Sequence, residues 1–263
     1  MSGDQALLAG RHALITGAGT GIGAAIAAAA ARAGARVSLA GRRSAPLLAV
    51  AAALADAQTL PIPGFDVTEP TRIAAGVAAA REAFGPIDVL INNAGEAPSA
   101  PFAKTDLATW KRALDVNLTG SFLVTQEVLP DMLVKRAGRV INIASTAGLA
   151  GYAYVTAYVA AKHGVIGLTR SLALELAKSA ITVNAVCPGY TDTPLFERAV
   201  EAIVAKTGRS AAAVRESLAA SNPQGRLVLP QEVAASVLWL ASAGAAAITG
   251  QAIVVAGGEV MVG

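Results

Sequence analysis

The 263 residues predict an α/β fold: a doubly wound, mainly seven-stranded parallel sheet with helices on both faces. Three observations carry this. Short apolar runs alternate with longer helical ones along the whole chain. Most of the helical runs are rich in Ala, which favours helix. A glycine-rich turn, Thr16–Gly23, follows the first apolar run and opens the first helix. Alternation of this kind implies parallel strands joined by right-handed helical crossovers.

In chain order, His12–Thr16 (H-A-L-I-T) is a short apolar run closed by Gly17, and reads as a buried strand. Gly21–Ala33 is an Ala-rich helix stopped by Gly34. A second strand, Arg36–Ala40, precedes a helix over Ser44–Asp56 that carries Leu47, Leu48 and Leu54. Leu60–Phe65 is a weaker strand because Pro61 and Pro63 remove ladder donors. A helix at Pro70–Phe84 and a strand at Ile87–Ile91 follow, bounded by Asn92. Asp106–Val134 reads as one long helix with a change of register about Gly120. Then come strand Arg139–Ala144, helix Thr156–Lys178, strand Ile181–Val186, helix Glu232–Ala241 and strand Gln251–Val255. Pro194–Pro230 breaks the rhythm. It reads as helices Leu195–Lys206 and Ala211–Ala220, inserted at the rim as a lid over a substrate.

Composition narrows the class. Hydrophobic residues make up 54% and charged residues 15%, which suits one well-buried domain over 1–263 and a buried subunit interface. No linker divides the chain. The net charge is +3 without a basic tract interleaved with aromatics, so nucleic acid is not an expected partner. The single Cys187 excludes an internal disulfide, and His12 and His163 lack metal-ligand spacing, so no metal is expected. The N-terminal run M-S-G-D-Q-A-L-L-A-G lacks the charged and apolar regions of a signal peptide, and the apolar runs fall short of spanning length. A cytoplasmic protein without membrane attachment is expected.

Ligands of such sheets sit beyond the C-terminal strand ends. That rim gathers Gly17–Gly23, Arg42, Asp66, Asn92–Gly95, Ser145 and Pro188–Gly189. Gly17, Gly21 and Gly23 permit a tight turn and a close approach to a pyrophosphate, which the following helix N-terminus favours. Tyr158 and Lys162 stand four apart, on one face of a helix. An ammonium beside a phenol lowers the phenol pKa and makes it a usable acid/base. Ser145 lies thirteen residues before Tyr158, at the end of an apolar run.

These residues converge on a family. The chain resembles the short-chain dehydrogenases/reductases over nearly its whole length. The matching elements are T-G-x-x-x-G-x-G at 16–23, Asp66-Val67, N-N-A-G at 92–95, Asn117 in D-V-N-L-T-G, Ser145, Y-x-x-x-K at 158–162 and P-G at 188–189. The resemblance implies a Rossmann-type NAD(P)-binding domain, an oxidoreductase interconverting a secondary alcohol and a ketone, and a homotetramer. It implies that Tyr158 is the acid/base, that Ser145 hydrogen-bonds the substrate oxygen, and that Lys162 holds the nicotinamide ribose and depresses the Tyr158 pKa. Asn117 would position a water in a proton relay. The cofactor would be met by Gly17, Thr20, Gly21, Ile22, Gly23, Arg42, Arg43, Asp66, Val67, Asn93, Ala94, Gly95, Tyr158, Lys162, Pro188, Gly189 and Thr191. Asn93 and Asn117 are also suited simply to stabilise strand and helix ends.

NADP(H) is favoured over NAD(H), because Gly41-Arg42-Arg43 stands where an NAD enzyme carries an acid. Thr20 departs from this, standing where many NADPH-dependent relatives carry a base. For substrate, the chain is similar to 3-hydroxybutyrate dehydrogenases and 3-hydroxyacyl/3-oxoacyl thioester oxidoreductases. It departs from the first group at Ala147 and Val155, where those enzymes place a His and a Lys. Leu149, Tyr152, Tyr154 and Val155 read instead as an apolar wall, suited to an acyl thioester or other apolar ketone. The alternatives are a small hydroxy acid held by Arg198, Arg215, Gln224 or Arg226 of the lid, or a non-catalytic dinucleotide sensor. Ala256 replaces a usual Asp.

Overall fold

The computed structural model describes residues 7–55 and 57–261. Seven parallel strands form one sheet in the order β3-β2-β1-β4-β5-β6-β7. They are β1 (His12–Thr16), β2 (Arg36–Gly41), β3 (Thr59–Pro63), β4 (Val89–Asn92), β5 (Ala137–Ile143), β6 (Ala180–Pro188) and β7 (Ala252–Val255). The chain reverses its winding between β1 and β4, the switch point where such sheets bind ligands.

Alternate side chains of each strand feed opposite cores. On one face, Ala13, Ile15, Val37, Leu39, Val89 and Ile91 pack on α1 (Gly21–Arg32), α2 (Ser44–Ala53) and α9 (Pro230–Ala241), through Ile26, Leu47 and Val237. On the other, Leu14, Leu90, Val140 and Val183 meet α3 (Pro70–Phe84), α5 (Gly120–Lys135) and α6 (Thr156–Glu175), through Val77, Val128 and Ala173.

β3 is an edge strand, as its prolines require. Gln58 O accepts from Val37 N and Gly64 N donates to Arg42 O, so even-numbered residues face β2. Pro61 and Pro63 therefore turn their nitrogens to the open edge.

The structure corrects several expected boundaries. α2 closes at Ala53, and the expected end at Asp56 lies outside the described residues, as do 1–6 of the N-terminal run. β5 and β6 begin earlier than expected, and β6 runs through Pro188 instead of stopping at Val186. α6 stops three residues short of Lys178, at Glu175. The long helix is three pieces: α4 (Leu107–Leu114), a π turn at Asp115–Thr119, and α5. The register change thus falls just before Gly120. The inserted segment forms α7 (Pro194–Thr207) and α8 (Ala211–Ala219), with a small core of its own from Phe196, Val200 and Val214.

Among the described residues no helix is long and apolar enough to cross a membrane, and no group of His, Cys, Asp and Glu could hold a metal.

Candidate active site

The site begins where β1 ends. Gly17 and Gly21 have φ of 66° and 55°, in the left-handed region that favours glycine. Gly23 sits so close to the loop that a Cβ there would strike the Gly17 carbonyl oxygen. Thr20, exposed, is the N-cap of α1 but its side chain bonds no helix N–H, so the helix N-terminus keeps its unpaired donors for an anion. Ile22 is half-buried against the α1 face core.

β4 holds this loop from the side. Asn93 Nδ2 donates to Thr16 O at 2.9 Å and Gly17 O at 3.2 Å. The Asn93 and Ala94 amides donate to Thr16 Oγ1 at 2.9 and 3.0 Å. The Asn93 side chain is thereby committed to shaping the loop, and Ala94 packs into the core. Behind it, Asn92 Nδ2 donates to Asn142 Oδ1 and Thr125 Oγ1, and Asn142 Nδ2 to Thr169 Oγ1, tying β4, β5, α5 and α6 together.

At the β2 end, the Arg42 and Arg43 side chains are exposed and make no hydrogen bond among the described residues. Asp66 lies near Arg42. Burial opposes its charge, but the Thr68 N–H and hydroxyl, at 2.9 and 2.8 Å, with Arg42 and Arg112 nearby, hold its pKa below the usual value. Val67 is buried beneath it, packed where a Cβ on Gly120 would fall.

The candidate catalytic set comes from β5, α6 and the π turn. Ser145 caps the short 3-10 turn after β5, its Oγ accepting from Ala147 N at 3.1 Å. Its hydroxyl lies near that of Tyr158, half-buried on the first turn of α6. One turn on, Lys162 is 4% exposed; its Nζ donates to Ile143 O at 2.7 Å and lies 5.6 Å from the Tyr158 ring centroid. Desolvation lowers the Lys162 pKa to about 8. A Cβ on Gly95 would meet Asn117 Oδ1 at 2.8 Å and Lys162 Nζ at 3.8 Å, so these three residues converge. Asn117, in the π turn, donates from Nδ2 to Glu96 O and Ala113 O, both at 2.9 Å, and accepts from Glu96 N at 3.3 Å. A π turn widens the helix by one residue and is favoured at functional sites.

In the chain alone, burial pushes the Tyr158 pKa up, against the nearby Ser145 hydroxyl.

On the far side, Pro188 ends β6 and Gly189 follows. Thr191 is buried, donating its hydroxyl to Gly189 O at 2.9 Å. Thr193 caps α7, accepting from Phe196 N at 3.2 Å, and its Cγ2 lies 3.1 Å from where a Gly21 Cβ would stand. The inserted segment thus starts against the glycine loop. A cavity of about 480 Å³ opens beside it, lined by Asp192, Thr193, Pro194, Glu197, Arg198 and Glu201.

The expected apolar wall is mixed. Tyr152 donates its hydroxyl to Glu259 Oε1 at 2.6 Å, within 2.9 Å of Thr146 Oγ1. Tyr190 stands edge-on to both Tyr152 and the lid's Phe196. Tyr154 is exposed at φ 68°, a strained value for a bulky residue. Ala147 is buried, and Val155 and Leu149 are half-buried. Of the lid cations, Arg215 pairs with Glu197, and Arg226 pairs with Glu232 through two hydrogen bonds. Glu259 escaped the sequence reading, since it lies 107 residues from Tyr152 with no motif around it.

The glycine cradle, the open α1 N-terminus and the free Arg42 and Arg43 fit a dinucleotide phosphate. Comparison with known proteins agrees with that fit. The family model described as short chain dehydrogenase matches residues 11–203. A putative ketoacyl reductase of the monensin polyketide synthase from Streptomyces virginiae is 41% identical over 256 residues, 94% of this chain and 96% of the relative. A D-beta-hydroxybutyrate dehydrogenase from Rhizobium meliloti is 39% identical over 194 residues, 73% of this chain and 75% of the relative. The crystal structure of an actinorhodin polyketide ketoreductase variant with NADPH superposes with a TM-score of 0.92, at 39% identity, covering 98% of this chain and 99% of that one.

Proposed function

The chain belongs to the short chain dehydrogenase family, an oxidoreductase acting on a CH–OH group with NAD(P), and on that premise we propose that it reduces a 3-oxoacyl thioester or similar apolar ketone with NADPH. The observation that carries the reading is the convergence of Ser145, Tyr158 and Lys162 at the end of β5. The bound cofactor supplies the hydride. Tyr158 delivers the proton to the carbonyl oxygen, and its raised pKa keeps that proton available. Ser145 holds the same oxygen through its hydroxyl. Lys162 reaches the ribose and, with Asn117, connects Tyr158 to water. Gly17, Gly21, Gly23 and the α1 N-terminus hold the pyrophosphate; Arg42 and Arg43 hold the 2′-phosphate; Asp66 and Val67 border the adenine; Pro188, Gly189 and Thr191 border the nicotinamide.

The thioester preference is supported by Ala147 and Val155, which offer no cation to a free carboxylate, and by the pairing of Arg215 and Arg226 with lid acids. The relative described as a ketoacyl reductase of the monensin polyketide synthase points the same way. The hydroxybutyrate dehydrogenase relative keeps the small hydroxy acid as the second reading. Parallel kcat/KM measurements on acetoacetyl-CoA and acetoacetate with NADPH decide between them; a tenfold advantage for the free acid, about 1.4 kcal/mol, rejects the thioester reading.

The homotetramer is part of this proposal. Phe122, Leu133 and Val134 on α5 and Leu174 on α6 are exposed apolar residues suited to a second copy. Light scattering that finds a monomer at micromolar concentration argues against it.

A further inference from the structure

Glu259 places an acidic group against Tyr152 of the expected substrate wall, where the proposed reaction does not use one. Three contacts fix its position. Oε1 accepts from Tyr152, whose hydroxyl also reaches Thr146, the neighbour of Ser145. Oε2 lies 2.7 Å from where a Cβ on Gly189 would stand, at the end of β6. Tyr190 stands edge-on to Tyr152, 6.4 Å between ring centroids, and lies near both Glu259 and Tyr158. Oε2 is buried and has no hydrogen-bond partner among the described residues. Of the lid arginines, Arg215 and Arg226 are already paired, with Glu197 and Glu232.

We propose that Glu259 is a specificity-determining residue, whose carboxylate disfavours ketones ending in a free carboxylate while leaving esters and thioesters of the same acyl chain unaffected. It rests on the thioester reading above and names the residue that enforces it. A like charge in a poorly hydrated cleft is repelled more strongly than across water, and rejection by repulsion discriminates as well as attraction does. Tyr152 serves as the clamp, because its hydroxyl holds the carboxylate on the cleft wall.

The test compares acetoacetate with its methyl ester in the wild type and in Glu259→Gln, which retains the acceptor for Tyr152 but not the charge. The expected result is a rise of about tenfold in the acid-to-ester ratio of kcat/KM, with the ester changed little. Tyr152→Phe, which keeps the charge, should leave that ratio nearer the wild-type value. An unchanged ratio in Glu259→Gln, or equal losses on both substrates, overturns the inference and leaves Glu259 a structural residue. The ratio change is read independently of which substrate the wild type prefers, so a wild type that prefers the free acid rejects the thioester reading without deciding this one. Should Glu259→Gln fail to fold, inhibition of the wild type by a carboxylate and its amide of equal length replaces it. Weaker inhibition by the carboxylate is expected, and equal inhibition overturns the inference.

Discussion

The cofactor half and the substrate half of the cleft are built in opposite ways. In the first, bounded by β1, β2 and β4, the shape is made by side chains committed to backbone. Asn93 and Thr16 spend their polar atoms on adjoining backbone, and glycines stand where side chains would collide. In the second, bounded by the 3-10 turn, β6 and the inserted helices, side chains pair with side chains: Tyr152 with Glu259, Arg215 with Glu197, Tyr190 with Phe196. On the proposed function, the difference teaches that the first half is a socket shaped for the cofactor, and that the second sets the substrate through its side chains.

The largest effect tests the hinge between the halves. Tyr158→Phe should leave cofactor affinity near normal and lower kcat by roughly 10²–10⁴-fold, the usual contribution of a general acid. Single-turnover kinetics and cofactor titration check it; near-normal turnover would remove Tyr158 from the chemistry.

Next, Gly23→Ala should break the socket alone. Its Cβ cannot coexist with the Gly17 carbonyl, so loop displacement should cost about 1–3 kcal/mol and most cofactor affinity. Measured thermal stability and NADPH binding that both match the wild type would show the loop to be compliant.

Lys162 gives a pH signature of similar size. Its folded pKa, about 8, lies below its ordinary value of 10.5. Between those values the unfolded chain holds more protons, so this residue's contribution to stability rises with pH from about 8 to 10.5. Relative to Lys162→Met, the wild type should gain on the order of 3 kcal/mol across that window. Tyr158 and Cys187 have raised pKa values and act in the opposite sense; because Lys162 lowers that of Cys187, the comparison is made with Cys187→Ala in both proteins. Denaturant titrations at a series of pH values read it; a pH-independent difference would mean that Lys162 is not desolvated.

Arg42→Ala should sharpen the comparison further, by lowering kcat/KM for NADPH by about 1.5–3 kcal/mol and that for NADH little. Equal losses, or a wild-type preference for NADH, would reject the 2′-phosphate assignment. The smallest effect belongs to the substrate side. Tyr154→Gly removes a left-handed bulky residue and should change stability by only about 1 kcal/mol, in the stabilising direction if relief of strain exceeds the lost chain stiffness. A melting-temperature decrease would show that the ring's contacts matter more.

The same division explains what could be read from the sequence. Alternating apolar runs revealed the sheet because its five inner strands are buried on both faces, and the glycine turn and the Tyr158/Lys162 spacing are local patterns. The π turn left no signal, since Asp115–Thr119 has no composition that separates it from α-helix. The upward pKa shift of Tyr158 depends on burial, which the spacing of Tyr158 and Lys162 does not record. Glu259 and the lid ion pairs required the folded chain, because their partners lie from 6 to 107 residues away with no periodicity linking them.

The two prolines of β3 have a consequence for the sheet as a building block. Strands lengthen a sheet by exchanging donors and acceptors at its rims. At the β3 rim, two of three outward positions carry no N–H to offer. At the opposite rim, β7 turns Ala252 and Val254 outward with donors intact. A continuous ribbon of molecules joined rim to rim needs both ends to be competent, and only one is. Propagation through this sheet therefore stops after a single rim-to-rim junction, which spares a strongly apolar chain from forming fibres as it folds.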